Sequence, residues 1–313
     1  MTRTRPSHGT CAISRASRIA RETRGDYNGV TEAKLSIILP AFNESERLRT
    51  NLGLLVETMN WCGYQYEVIV VDDGSSDGTW THAVEAANLL PATIRVIYYE
   101  QNEGKGHALL CGARRATGTH VVFIDADMEL HPFQVPLLFE IMNIAEADVV
   151  IGSKHHALSK TVNYPRVRRA YSLIYYGVVR LMFGLPVRDT QTGLKIFKRQ
   201  VAERVFPRVM VKRFGFDIEI LANAHRLGYR IVDAPVVVHF SRDFGRIKWQ
   251  DAFMTLLDTL AIFYRMKLLR YYDRFADASL LSELRVNPRS REVSRRPPAE
   301  SHLVPQPSAA IGQ

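Results

Sequence analysis

The stretch HVVFIDADMELHP, residues 120–132, opens as a short apolar run and then places two aspartates one residue apart. An apolar run of this length, bounded by polar residues, reads as a buried strand. In an extended chain, residues i and i+2 project to the same side, so Asp125 and Asp127 can approach one cation, with Glu129 a third candidate ligand. Two carboxylates that close repel each other unless a proton or a cation neutralises them. Hard oxygen donors of this kind suit Mg²⁺ or Mn²⁺, with substrate phosphate oxygens completing the shell. The competing reading is a solvated turn in which one aspartate caps a helix. The motif alone does not decide between the two.

Four further runs have the same character: LSIIL (35–39), YEVIVV (66–71), IRVIYY (94–99) and DVVIG (148–152). Helical segments separate them. One starts near NESERL with Asn43 or Ser45 as cap, one runs to about residue 88, and one follows NEGKG and ends near Gly118. Val/Ile runs alternating with helices predict an α/β fold, a mostly parallel sheet with helices on both faces. Each strand is followed by polar chemistry: Asn43 and Glu44, Asp72 and Asp73, Asn102 and Lys105, Asp125 and Asp127, Ser153 and Lys154. Ligands of open α/β sheets bind just beyond such strand ends.

The net charge of +9 over 313 residues points at nucleic acid until it is apportioned. Residues 1–30 hold six arginines against Glu22 and Asp26, and residues 285–313 hold five against Glu292 and Glu300, so the body is nearly neutral. With no recognition motif present, a nucleic-acid partner is not expected. Both ends are rich in Ser, Thr and Pro and read as flexible. The N-terminal one lacks the apolar run of a secretory signal. The three cysteines, Cys11, Cys62 and Cys111, form no metal or disulfide framework, which fits a reducing, cytoplasmic setting.

No stretch reaches the roughly 18 uncharged apolar residues of a spanning helix. Residues 248–275 instead carry Phe253, Leu256, Leu257, Leu260 and Tyr264 at helical spacing with Lys267 and Arg270, as in a helix lying in a membrane interface. A helix packed on the body of the domain has the same pattern. Residues 170–185, with Tyr171, Tyr175, Tyr176 and Phe183, are a second interfacial candidate. The expected organisation is a basic extension (1–33), a catalytic domain (34–240), amphipathic helices (241–275) and a basic tail (276–313).

The blocks LSIILPAFNESERL, VIVVDDGSSDGT, NEGKGHAL and FIDADMELHP resemble, in order, the signatures of family 2 glycosyltransferases with the GT-A fold. The later blocks VIGSKHH, PRVRRAYSLIYYGVVRLMFG, RDTQTGLKIFKR and GFDIEILANAHRLGYRIVDAPV are similar to those of enzymes that load a sugar onto dolichyl or polyprenyl phosphate. The resemblance implies that Pro40, Phe42, Asn43, Glu44 and Ala126 border the nucleotide sugar, with Asp72 and Asp73 near base and ribose. Lys105 would meet the donor phosphates, and Asp125, Asp127 and Glu129 would hold Mg²⁺ or Mn²⁺, Glu129 standing where the mannose-transferring members commonly have Gln. Lys154, Arg168 and Ser172 would bind the acceptor phosphate, with Arg166 and Arg169 beside them. Lys154 stands where the family has an arginine and offers charge without the bidentate fork.

Asp189 is either an orienting group at the sugar or acceptor, with Gln191 on the same loop, or a loop aspartate holding its own backbone. Asp217 and Glu219 either contact the sugar or an arginine, or stabilise a helix start. His131, His155, His156 and His225 show no ligand spacing and read as surface or structural. The implied reaction moves a sugar from a nucleoside-diphosphate sugar, a UDP-sugar by the form of DTQTGLKIF, to a polyprenyl phosphate at the cytoplasmic face of a membrane. Attachment would be peripheral, with room for a membrane-anchored partner. The alternative is a sugar hydroxyl acceptor, which would need a carboxylate base such as Asp217 or Asp189.

Overall fold

The computed structural model describes residues 34–162, 166–212, 215–239, 249–274 and 291–295. The basic extension, Cys11 and most of the basic tail lie outside these residues, as do the side chains of Arg166, Arg168 and Phe253.

The chain runs β1 (Lys34–Ala41), α1 (Ser45–Cys62), β2 (Gln65–Asp72), α2 (Thr79–Leu89), β3 (Ile94–Tyr98), α3 (Lys105–Ala113), β4 (His120–Phe123), α4 (Gln134–Ile144) and β5 (Val149–Ser153). It continues through β6 (Lys160–Val162), α5 (Arg166–Phe183), β7 (Lys195–Lys198), α6 (Arg199–Val205), α7 (Phe216–Arg226), β8 (Ile231–Pro235), β9 (Val237–His239), α8 (Trp249–Phe263) and β10 (Arg291–Arg295). The five expected strands appear within two residues of their predicted bounds. The helix after NEGKG stops at Ala113, short of Gly118.

The main sheet has the order β10-β3-β2-β1-β4-β7-β5-β8. β3, β2, β1 and β4 are mutually parallel, and β8 is parallel to β5. β7 runs antiparallel between β4 and β5, and β10 antiparallel along β3. The sequence reading missed β7 and β8 because their apolar runs sit inside motif blocks. It also took residues 291–295 as flexible tail. There the open edge of β3 offers unpaired backbone groups, and Arg115 meets Glu292 at 3.0 Å across the new pairing.

The strand runs are buried on both faces. Ile38, Ile69, Val71, Val121, Phe123, Val149 and Ile151 join a cluster with side chains of α3, α5, α6 and α7, while their alternates Ile37, Leu39, Val68, Val70, Val122 and Val150 are equally buried. This accounts for uninterrupted Val/Ile runs without polar alternation. From β1 the chain adds β2 and β3 on one side, then crosses to place β4 on the other. The strand order thus reverses between β1 and β4, and a crevice opens beyond their carboxyl ends.

No helix among the described residues is long and apolar enough to cross a membrane. α8 packs on the body through Thr255, Thr259 and Ile262, and Tyr175 of α5 shares a 2.7 Å hydrogen bond with Thr259. The apolar residues singled out in and just after α8, Leu256, Leu257, Leu260 and Tyr264, are exposed together with Met254. In α5 the expectation is inverted. Tyr175 and Phe183 are buried, Phe183 against Phe263, and the exposed apolar side chains are Leu173, Ile174 and Leu181.

Candidate active site

Four loops meet at the crevice. Strand β1 delivers Pro40, Phe42 and Asn43. Asn43 adopts φ 53 and is locked to the next loop: its N–H donates to Ser75 Oγ at 2.9 Å and its Oδ1 accepts from Ser76 N at 3.0 Å. Neither Asn43 nor Ser45 caps α1. Glu44 holds the N-cap position without a side-chain cap, and Asp77 accepts the Ser45 N–H at 3.1 Å from the neighbouring loop. Phe42 is 46% exposed beyond the end of β1.

Asp72 and Asp73 divide the work at the end of β2. Asp72 accepts Ser75 N through Oδ1 at 2.9 Å, while its Oδ2 is buried without a hydrogen-bond partner. Burial raises the Asp72 pKa; the Ser75 hydrogen bonds oppose that rise, and Asp77 and Asp73 add to it. Asp73 is spent on the loop before α3. It accepts from Tyr99 Oη at 2.7 Å, Glu103 N at 2.9 Å, Gly104 N at 2.9 Å and Asn102 Nδ2 at 3.1 Å. Gly104 takes φ 99, where an L side chain would be strained. The resemblance sets Asp73 beside the ribose; here it fixes the loop that starts α3 and carries Lys105.

Strand β4 ends at Phe123, so Asp125 and Asp127 occupy a turn rather than extended chain, closed by Met128 N to Asp125 O at 3.2 Å. The turn still leaves Asp125 and Asp127 partly exposed and buries Ala126, whose carbonyl is held by Asn51 Nδ2 at 2.7 Å. Lys105 Nζ lies 2.6 Å from Asp125 Oδ1. Burial alone would raise the Asp125 pKa, but Lys105, Lys195 and Lys154 outweigh it and keep the carboxylate ionised. Burial likewise opposes the charge on Lys105, and Asp125, Asp217 and Asp127 more than offset it.

Glu129 does not complete a cage. Its carbonyl accepts His239 N at 3.0 Å as the chain leaves the crevice toward β9, and no three His, Cys, Asp or Glu side chains among the described residues converge on a metal position. Two partly exposed carboxylates facing an ammonium still suit a Mg²⁺- or Mn²⁺-type ion. Such ions use one or two protein carboxylates and take substrate phosphates and water for the rest.

The segment 189–195, read from sequence only for Asp189 and Gln191, forms the far wall. Asp189 satisfies both of its readings. It accepts Gln191 N at 3.1 Å and Thr192 Oγ1 at 2.6 Å from its own loop, and it meets Lys154 Nζ at 3.0 Å and Lys154 N at 3.1 Å. Burial pushes its pKa up, yet Lys154 and these hydrogen bonds hold it below the usual carboxylate range. Two residues of this wall were missed. Lys195, fully buried at the head of β7 beside Phe123, meets Asp217 Oδ1 at 2.8 Å. Gly193 lies so close that a Cβ there would sit 2.0 Å from Asp125 Oδ2. A lysine inside the apolar run LKIF was the available signal for the first; nothing local marks the second.

Glu219 is structural. It accepts Met210 N at 2.9 Å and Val211 N at 2.7 Å and bonds Tyr272 Oη, with Arg265 at 3.5 Å, tying α7 to the chain beyond α8. Ser172 and Arg169 belong to the first turns of α5, Arg169 exposed. Ser172 Oγ shares a 2.8 Å hydrogen bond with His155 Nε2, so one of the four histidines set aside as surface or structural borders this region.

The profile described as Glycosyl transferase family 2 matches residues 36–206. The chain belongs to that family. The GT-A fold expected from the motifs is the fold observed, and the protein is a glycosyltransferase. The dolichyl-phosphate beta-glucosyltransferase of Dictyostelium discoideum is 30% identical over 220 residues, 67% of each chain. That of Saccharomyces cerevisiae is 29% identical over 228 residues, 66% of this chain and 67% of its own. Among solved structures, glucosyl-3-phosphoglycerate synthase from Mycobacterium tuberculosis in complex with phosphoglyceric acid aligns at TM-score 0.56 and 22% identity, over 83% of this chain and 85% of that one. The same enzyme with Mn²⁺ and UDP-glucose aligns at TM-score 0.54 and 22% identity, over 83% and 86%.

Proposed function

We propose that this transferase moves a hexosyl group, glucosyl first among candidates, from a UDP-sugar to the phosphate of a polyprenyl phosphate, using Mg²⁺ or Mn²⁺. The observation that carries the choice of acceptor is the state of the crevice carboxylates. A hydroxyl acceptor requires a base to take its proton. Asp189 and Asp217, the two candidates for that base, are each held by a lysine, at 3.0 and 2.8 Å. A carboxylate whose oxygen is already engaged by an ammonium is a poor proton acceptor, and Asp189 is in addition held below the usual carboxylate range. A phosphate monoester is already largely dianionic there and needs only cations to hold it. Lys154 just after β5, with Arg168, Arg169 and Ser172 at the start of α5, are the residues placed for that purpose.

On the donor side, Pro40, Phe42 and Asn43 border the nucleotide, Asp72 offers its unengaged Oδ2 to the base, and Lys105 moves from Asp125 to the diphosphate. Asp125 and Asp127 hold the divalent ion, which when bound neutralises charge on the departing nucleotide. The relatives named dolichyl-phosphate beta-glucosyltransferase support the acceptor class. A carrier lipid stays in a bilayer, so the enzyme works at its surface, and the exposed apolar row of α8 is the face suited to meet it.

The test incubates the full chain with labelled UDP-glucose, other UDP-hexoses or GDP-mannose, a short-chain polyprenyl phosphate and Mn²⁺. Label should become extractable into organic solvent with UDP-glucose, and chelator should abolish transfer. Asp127→Ala should lower turnover by about 10²-fold or more, as loss of transition-state charge stabilisation does. Label that stays in water, on a glycan or small acceptor, would refute the lipid phosphate. Full turnover in chelator would refute the metal.

A further inference from the structure

At the far end of α5 from the acceptor cations lies a cavity of about 390 Å³, lined by Tyr176, Arg180, Gly184, Leu185, Pro186 and Arg188. Along α5 its lining starts one turn beyond Ser172 at Tyr176, Arg180 lies about 12 Å from Ser172 at 1.5 Å per residue, and Arg188 directly precedes Asp189. Its walls are fixed. Gly184 ends the helix with its N–H on Arg180 O at 2.9 Å, and Leu185 and Val187 turn inward to anchor the return of the chain to Arg188. Tyr176 and Arg180 are one turn apart, and the Arg180 guanidinium donates to Tyr176 Oη at 2.8 Å. No carboxylate among the described residues lies within ion-pair distance of Arg180. The nearest one to Arg188 is Asp233 Oδ2 at 4.0 Å, too far to hydrogen-bond. Two guanidiniums thus face one cavity with most of their donors open.

A basic residue in the last turn of a helix often serves only to offset the macrodipole. That accounts for Arg180 alone, not for a second arginine returning to the same cavity. The neighbouring surface adds an independent observation. Arg169, Tyr176 and Arg180 form one row along α5, and beside it runs an apolar row of Leu173, Gly177 and Leu181 with Ile174. Ile174 is 69% exposed and Leu181 88% exposed. The exposed apolar face of α8 belongs to the helix packed against α5. Apolar side chains flanked by paired guanidiniums match the boundary between acyl chains and phosphate headgroups.

We propose that this cavity binds the phosphate of an anionic phospholipid headgroup, distinct from the acceptor phosphate, while Leu181 and Ile174 enter the bilayer. The proposal rests on the membrane-surface reading above. Arginine rather than lysine matters to it, because a fork grips a phosphate in two places.

The experiment measures binding of the full chain to vesicles of phosphatidylcholine alone and of phosphatidylcholine with phosphatidylglycerol, by co-sedimentation. The added phosphatidylglycerol should strengthen binding. The charge-conserving double variant Arg180→Lys/Arg188→Lys should lose most of that increment, because lysine keeps the charge but not the two-point grip on a phosphate. Its binding to phosphatidylcholine alone should not change, nor should its melting temperature. A Lys267→Gln/Arg270→Gln control, which removes two exposed charges outside the cavity, should lose less. Transfer to a short polyprenyl phosphate in detergent should be unaffected by the arginine pair, which separates this proposal from the catalytic one. Wild-type binding by the lysine double variant would reduce the effect to bulk charge and overturn the site. Equal loss in the control would do the same. Displacement of the protein from vesicles by millimolar inorganic phosphate would make it a free-phosphate site and overturn the lipid assignment.

Discussion

Gly193→Ala is the perturbation that tests the crevice geometry most directly. The added Cβ would lie 2.0 Å from Asp125 Oδ2 and 2.4 Å from its Cγ, whereas ordinary contacts begin at 3.4 Å. The backbone at Gly193 lies outside the left-handed region, so alanine is sterically allowed there and the cost falls on the neighbour. The carboxylate therefore has to retreat by roughly 1.4 Å, which breaks the 2.6 Å contact with Lys105 and moves the oxygen that would hold the metal. A misplacement of about 1 Å at reacting groups can cost roughly 10²-fold, so sugar transfer should fall by about that factor. Overpacking of this kind destabilises by about 1–3 kcal/mol, a few degrees in melting temperature per kcal/mol, so the variant should remain folded. The assay compares initial transfer rates at saturating Mn²⁺ with melting curves. A variant that stays within threefold of wild-type rate would refute the claim that this loop sets the position of Asp125.

Lys105→Met should tighten Mn²⁺ binding in the absence of nucleotide, because an ammonium now occupies the cation's place at Asp125. Both side chains are more than a third exposed, at 39% and 36%, so solvent screening limits the effect to about 1 kcal/mol, roughly fivefold. Free-Mn²⁺ electron paramagnetic resonance measures it, and weaker binding in the variant would contradict the placement. Glu67 is buried, which by itself raises its pKa, but Ser36 at 2.6 Å and Thr117 N at 2.6 Å, aided by Lys34, bring it below the usual value. A depressed carboxylate stabilises the fold above its unfolded pKa of about 4.3, and that contribution disappears as pH falls through the folded value. Glu67→Gln should therefore melt below wild type at neutral pH, with the gap closing under acid. A gap independent of pH would count against the ionised contact.

The local chain was sufficient for the elements on which the site is built. Val/Ile runs of four to eight residues are short-range signals, and β1 to β5 follow them closely. The polar residues after each run were equally legible, since a strand's carboxyl end is set by where its apolar run stops. Asp125, Asp127, Lys105 and Asp189 could be named as candidates before any coordinates. Their partners could not. Lys154 meets Asp189 across 35 residues of chain and Lys195 meets Asp217 across 22, and nothing near either residue encodes the other. Those pairings decide whether a carboxylate can act as a base.

Tertiary structure alone also decided where β7 lies, because a strand's neighbours depend on the whole sheet and not on its own four residues. It brought Gly193 against Asp125, and it gave Asp73 to the loop of Gly104 rather than to open solvent. In α8 the apolar spacing was visible in sequence, but period alone cannot say which face meets the body. Packing assigned Thr255 and Thr259 to the interior, where Thr259 Oγ1 partners the buried Tyr175 hydroxyl, and left the leucines outside. Sequence carried the chemistry of individual side chains; the fold decided which of them stand within 3 Å of one another, because that depends on contacts between segments far apart in the chain.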